Sequence, residues 1–313
     1  MNQNGLLEHA EQTIATGSKS FASAARLFDA TTRRSVLMLY TWCRHCDDVI
    51  DGQVMGFPSQ ESAAAGAEQR LRQLEEQTRL VYTGAPPSDP AFAAFQEVAA
   101  RHAIEPELAF DHLQGFAMDV RETRYETLNE MLGYCYHVAG VVGLMMARVM
   151  GVRNEAVLDR ACDLGLAFQM TNIARDIVED ARAGRCYLPA EWLAEEKMTV
   201  DEIVSPGRRE NLARLAQRLV AEAEPYYLSA HAGLKDLPLR SAWAIASAQG
   251  VYRKIGLKVC DAGPRAWDSR QGTQRLEKIA LLLQGALQAV SSRVETPPPH
   301  RPAHLWQRPR GAR

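Results

Sequence analysis

NEAVLDRACDLGLAFQMTNIARDIVEDAR, residues 154–182, repeats apolar side chains every three or four positions, the period of an α-helix with a buried face. Its second half sets Asn172, Asp176 and Asp180 at steps of four. One amide oxygen and two carboxylates therefore stand in a single file along that helix. Outward from this segment the same period returns over roughly 6–16, 30–50, 66–83, 90–102, 106–121, 127–151, 209–231, 238–261 and 272–292, and no run of β-branched alternation competes with it. Gly52 to Pro58, Gly84-Ala-Pro-Pro, Glu105-Pro106, Gly151, Gly184, Ser205-Pro206-Gly207 and Leu237-Pro238 separate the helices. The expected fold is an all-α, single-domain helical bundle over residues 1–295, followed by a Pro/Arg-rich tail at 296–313.

Composition narrows the function. The 313 residues are 46% hydrophobic and 24% charged, which supports a folded core. Thirty-six Lys+Arg against 38 Asp+Glu leave a net charge of -2, too even a field for a protein that wraps nucleic acid. MNQNGLLEHAEQT at the N-terminus has neither a basic nor an apolar signal region, so the expected location is the cytoplasm. The longest apolar stretch, Val138 to Val152, is interrupted by Arg148 and is shorter than a membrane span requires, so it is expected as a buried helix. Six cysteines are scattered, and Cys43-Arg-His-Cys46 lacks the second pair a zinc site needs.

A second acidic file lies in Tyr40-Thr-Trp-Cys-Arg44-His-Cys-Asp47-Asp48-Val-Ile-Asp51-Gly52. Asp47 and Asp51 are one turn apart on a helix rich in apolar neighbours, and Gly52 ends that helix just beyond them. An acidic pair near a helix end is commonly a cap or a solvated face. Two files on separate apolar helices, each with an arginine close by (Arg44, Arg175), are better explained by cations, because like charges gathered in low dielectric repel unless neutralised. Mg²⁺ takes hard oxygen donors and binds a few carboxylates together with substrate phosphate, so Asp47, Asp51, Asn172, Asp176 and Asp180 are the candidate metal residues. A diphosphate held this way becomes a leaving group, and the resulting carbocation needs a dry apolar pocket. The small and apolar residues between 138 and 170 would suit one, or simply pack the core. Asp48 and Glu179 lie off the files by about 100° and 60° and are expected to partner arginine or the cations rather than serve as primary ligands.

Ser18-Lys-Ser-Phe21, Tyr40-x-x-x-Arg44-x-x-Asp47-Asp-x-x-Asp51, Tyr134-Cys-Tyr-x-Val-Ala-Gly-x-Val-Gly143, Gln169-x-x-Asn172-Ile-x-Arg175-Asp176-x-x-x-Asp180 and Gly184-Arg-x-Tyr187-Leu-Pro189 together resemble the squalene/phytoene synthase family, in order over about residues 15–260. The resemblance is greatest to its bacterial, carotenoid-forming branch. It implies an isoprenoid-synthase bundle with a central apolar cavity and head-to-head condensation of two geranylgeranyl diphosphates, through prephytoene diphosphate, to phytoene. It further implies Mg²⁺, with Mn²⁺ as the alternative ion, and no NADPH. Carried over by position, Asp47, Asp51, Asn172, Asp176 and Asp180 hold the metal. Ser20, Phe21, Tyr40, Arg44 and Arg175 line or anchor the diphosphate and first prenyl segment. Tyr134 stands near the reacting carbons, Val138, Ala161 and Gln169 form pocket wall, Arg185 and Tyr187 contact substrate, and Tyr252 matches a late-helix diphosphate contact.

Squalene or dehydrosqualene synthesis from farnesyl diphosphate is the nearest rival. A non-catalytic helical binding factor is the alternative of a different class, opposed by the complete set of acids. An insoluble C40 product implies peripheral docking on the inner membrane, with other carotenoid enzymes as further partners and no nucleic acid. The tail, with Arg301, Arg308, Arg310, Arg313, Leu305 and Trp306, reads either as a flexible end or as a lipid contact.

Overall fold

Asp29 opens the first long helix because its carboxylate accepts from the backbone N–H groups of Thr31 and Thr32 at 3.1 and 3.0 Å. That helix, α3 (Ala30–Asp51), follows α1 (Gln3–Gly17) and α2 (Lys19–Ala25). It stops at Gly52, whose φ of 67° places it in the left-handed region that glycine enters freely. The computed structural model describes residues 3–17, 19–54, 57–58, 66–294 and 300–310. Beyond Gly52 comes an antiparallel ribbon of two residues per strand, Gln53–Val54 against Phe57–Pro58, within the expected turn.

Ten further α-helices follow among the described residues: α4 (Ala67–Val81), α5 (Pro90–His102), α6 (Pro106–Val120), α7 (Leu128–Cys135), α8 (Val141–Val149), α9 (Glu155–Arg182), α10 (Ala190–Glu195), α11 (Arg209–Ala232), α12 (Leu239–Ala262) and α13 (Arg275–Ser291). Asn154 caps α9 by accepting from the Ala156 N–H at 2.9 Å. The expected long helices are present with ends shifted by a few residues. The short α2 and α10 carry too few apolar positions for periodicity to reveal them.

The single helix expected at 127–151 is broken in its hydrogen-bond register. A π turn, Tyr136–Gly140, separates α7 from α8. Small residues let this region approach α9 backbone to backbone. A Cβ at Gly143 would collide with the Ala161 carbonyl oxygen, one at Gly165 with the Ala139 carbonyl oxygen, and one at Gly140 would lie 2.7 Å from Leu166 Cδ1. Leu128–Val149 is also the one run among the described residues long and apolar enough to cross a membrane, and 61% of its apolar 18-residue window is buried inside the protein.

Two apolar cores flank the centre. In one, formed largely by α1, α3, α5 and α6, Trp42 stacks on Phe95 at 3.9 Å. In the other, α9 packs along α11 around Met170, Leu212 and Leu219. All six cysteines are free, and among the described residues no cluster of three acidic, histidine or cysteine side chains forms a ready-made metal cage.

Residues 300–310 correct the expectation of a flexible or lipid-facing tail. Arg301 forms two bonds to Asp163 at 2.8 and 2.7 Å, Arg308 binds Asp159 at 2.8 Å and also pairs with Glu155, and Arg310 reaches Asp159 at 2.9 Å. Leu305 is buried, the Trp306 N–H donates to the Tyr226 hydroxyl at 3.0 Å, and the Trp306 ring lies 5.4 Å from that of Tyr136. These three arginines are consumed by acids of the same chain, an outcome that composition could not reveal. Arg313 lies outside the described residues.

Candidate active site

α3 and α9 bring their acidic files to one end of a cavity of about 810 Å³. Asp47, Asp51, Asn172, Asp176 and Asp180 all line it, with Arg44, Arg175 and Arg185 among them. Tyr40, Tyr134, Val138, Ala161, Gln169, Tyr187 and Tyr252 line it as well, so every expected site residue with a described side chain faces this one space. The side chains of Ser20 and Phe21 lie outside the described residues.

The cavity's polar end is crowded with charge. Arg44 pairs with Asp48 at 2.6 Å and Asp47 at 3.2 Å, while Arg185 reaches across from the α9–α10 connection to Asp51 at 2.5 Å. Arg175 forms two bonds to Asp176, at 2.8 and 2.5 Å. Arg270 bridges Asp176 and Glu179, both at 2.9 Å. Asp48 and Glu179 thus pair with arginine, one of the two partners expected from their angles off the files. Burial, then the neighbouring Asp51 carboxylate, pushes Asp47 up to about 6. Burial, then Asp176, pushes Asp180 up to about 7. The chain's own cations do not offset the negative charge assembled here.

Asn172 adds a second observation on the same side of the cavity. Its Nδ2 donates to Gln169 Oε1 at 3.3 Å, yet its Oδ1 is buried without a partner. A buried amide oxygen beside under-neutralised carboxylates is a hard-oxygen donor set, and it fits a divalent cation that completes its shell with phosphate and water.

A pair of stacked phenols stands between the acids and the apolar depth. The rings of Tyr134 and Tyr187 lie 4.7 Å apart at 15°, and their hydroxyls donate to Asp119 at 3.2 and 3.0 Å. Burial raises both phenols well above their ordinary range, so they stay protonated as donors. Asp119 itself is raised to about 6 by burial, held back by Arg185 and these two bonds. Sequence reading missed Asp119; the only signal was a lone acid closing the apolar end of α6. It also missed Arg270, which lies in an irregular segment and meets α9 only through the tertiary fold.

Farther in, the wall is apolar. Val138, Ala139, Val142, Gly143 and Met146 line the space, whereas Gly140, Val141, Leu144 and Met145 of the same stretch serve packing. Phe168 stacks on Tyr252 at 4.1 Å, and the Tyr40 phenol is pushed up to about 12, chiefly by burial. A polar, arginine-rich mouth leading to an aromatic girdle and a hydrocarbon-lined depth suits an amphiphile with an anionic head and a long apolar chain.

Comparison with known proteins agrees. The squalene/phytoene synthase family model matches residues 14–278. The chain is 65% identical over 309 residues to 15-cis-phytoene synthase of Pantoea ananas, covering 99% of this chain and 100% of the relative. It is 67% identical over 296 residues to 15-cis-phytoene synthase of Enterobacter agglomerans, covering 95% and 100%. A crystal structure of a ligand-bound dehydrosqualene synthase superposes with a TM-score of 0.81 at 28% identity, covering 92% of this chain and 98% of that one. Squalene synthase HpnC of Alicyclobacillus acidocaldarius, at 22% identity, TM-score 0.70 and 82% and 92% coverage, shares the fold.

Proposed function

The chain belongs to the squalene/phytoene synthase family, and from that premise we propose that it is the prenyltransferase joining two geranylgeranyl diphosphates head to head into phytoene, releasing two diphosphates. The observation that carries this reading is full-length identity of 65% to a relative of that activity, combined with a cavity that is anionic and arginine-lined at one end and apolar along its depth.

Asp47, Asp51, Asn172, Asp176 and Asp180 are the residues that would hold Mg²⁺ or Mn²⁺. Bound there, the ion neutralises the diphosphate and makes it a better leaving group. Arg44, Arg175 and Arg185 add positive charge on the same side, where leaving-group charge develops as the allylic C–O bond breaks. The Tyr134–Tyr187 stack presents aromatic faces to the allylic cation, which the double bond of the second substrate attacks; proton loss then closes the cyclopropane of prephytoene diphosphate. Asp119 holds both phenol hydroxyls and so fixes the orientation of the rings. Val138, Val142, Ala161 and Phe168 bring no nucleophile and exclude water that would quench the cation. Loss of the second diphosphate, rearrangement and a last deprotonation require no hydride, so NADPH has no role. A water-insoluble product makes delivery to a membrane the natural end of the cycle, with the enzyme docked from the cytoplasmic side.

Product analysis tests this. Purified protein with Mg²⁺ and geranylgeranyl diphosphate should give a C40 hydrocarbon without NADPH. A C30 product formed preferentially from farnesyl diphosphate would move the assignment to dehydrosqualene or squalene synthesis, and no product from either would return it to a binding protein.

A further inference from the structure

Helix α13 is built inside out. Its small residues face the protein: Gly285 and Ala289 are buried, and a Cβ at Gly285 would collide with Ser247 of α12. Its large ones face water, with Leu276 79%, Leu283 63%, Leu287 73%, Val290 58% and Val294 81% exposed. With Ala280 the helical positions step by 4, 3, 4 and 3, which keeps them on one side of α13 as a continuous apolar stripe, and Val294 is exposed in the turn just past its end. A stripe of that extent on a folded protein marks something that covers it.

The charges around the stripe identify the cover. α13 has one acid, Glu277, and Lys258 of α12 takes it at 2.6 Å. Beside the stripe stand Arg275 and, just past the helix, Arg293, whose guanidinium also donates to the Leu237 carbonyl oxygen at 2.7 Å; Lys278 lies on the opposite side, toward the cavity. A second copy of this chain docked by two-fold symmetry would set cation on cation: antiparallel helices put Arg275 beside Arg293, and parallel ones put each beside itself. An anionic lipid surface meets no such conflict, since the leucines enter the acyl boundary while the cations stay at headgroup level. The inner side of the same helix bears on the cavity, which Lys278 and Leu282 line. One helix therefore separates the space that holds prenyl chains from the face that would hold lipid.

We propose that α13 is the membrane-docking surface, lying in the headgroup region of an anionic bilayer through Leu276, Leu283, Leu287, Val290 and Val294. The proposal rests on the prenyltransferase reading only for what passes between cavity and membrane. It places the contact away from Arg301, Arg308 and Arg310, which are already paired.

Flotation of the full-length protein with vesicles tests it, using phosphatidylcholine alone or mixed with phosphatidylglycerol, alongside Leu283→Gln/Leu287→Gln and Arg275→Glu variants. The wild type should float with the anionic vesicles and less with neutral ones. The double leucine variant should lose at least about tenfold in partitioning, and Arg275→Glu should weaken binding most at low salt. Turnover of detergent-dispersed geranylgeranyl diphosphate should be unchanged in both. Wild-type flotation by the leucine variant, or no flotation by the wild type, overturns the proposal. So does a wild-type dimer that the leucine variant converts to monomer while flotation persists. Absence of turnover in detergent would count against the prenyltransferase reading instead and leaves the flotation result to stand by itself.

Discussion

Helix α9 carries two files of oxygen donors with identical spacing, Glu155-Asp159-Asp163 near its start and Asn172-Asp176-Asp180 near its end, and their surroundings differ in kind. The first is matched by the chain itself. Asp163 is fully buried, and although burial raises it, Arg301 and the Ser229 hydroxyl pull it back; Asp159 receives both Arg308 and Arg310. The second is matched only in part. Asp176 has two arginines, but Asp180 is driven up to about 7 and the Asn172 Oδ1 has no donor. A file neutralised from within is a brace that fastens the C-terminal strap to the bundle. A file left short of positive charge is what the proposed cation-holding site requires.

The largest effect that could break this comparison is on turnover. Asp180→Asn and Asp176→Asn should each lower product formation by about 10²–10³-fold or more, the scale of removing one preorganised electrostatic contact to a developing charge. The melting temperature of Asp180→Asn should not fall, because neutralising a crowded carboxylate relieves repulsion, whereas Asp176→Asn strands the mostly buried Arg175 guanidinium and should lose stability as well. An Asp180→Asn enzyme with wild-type turnover would show that the second file is no more functional than the first.

The first file predicts the reverse. Asp163→Asn strands the mostly buried Arg301 guanidinium and should cost about 3 kcal/mol of stability, the scale of breaking a buried pair from one side. Adding Arg301→Gln should recover most of that loss, and turnover at a temperature where the variants are folded should stay within a few-fold of the wild type. Urea unfolding of the single and double variants measures it. A single variant that is stable but inactive would make the strap part of the catalytic machinery.

How much of this was legible in the sequence follows from the range of each interaction. Helices of three turns or more showed themselves by period, and Asp47, Asp51, Asn172, Asp176 and Asp180 by spacing, because both signals are local. Their sharing of one site was not local; it was inferred from the need of two arginine-flanked acidic files on apolar helices for cations, and from resemblance over five ordered motifs. The Glu155-Asp159-Asp163 file has the same spacing and was passed over, since nothing near it in sequence says that Arg301, 138 residues from Asp163, will neutralise it. The π turn escaped for a related reason. It depends on how closely Gly140, Gly143 and Gly165 let two helices approach, which is a property of the packed pair. The exposure of the α13 leucines could not be read from their period, because an amphipathic pattern shows that a helix has an apolar face and not which way that face turns.

The smallest effect concerns a base in the cavity wall that neither file touches. His112 of α6 is buried against Trp42 and Phe116, its Nδ1 lies 3.2 Å from the His137 carbonyl oxygen, and its Nε2 has no partner. Burial lowers it to about 4; the bond to the His137 carbonyl opposes the shift and the His137 ring reinforces it. An unfolded histidine takes a proton near pH 6.5, whereas this one refuses it until about 4. Its contribution is therefore intact above about pH 6.5 and is lost as the pH falls toward 4, by about 1 kcal/mol between pH 7 and 5.5. Buried carboxylates of the second file act with the opposite sign, since a raised acid takes up protons in the folded state first. The test is thus a difference: urea unfolding at pH 7 and 5.5 for the wild type and for His112→Gln, with the variant losing about 1 kcal/mol less on acidification. Equal losses would mean that the acid sensitivity does not arise at His112 and would remove it from the account.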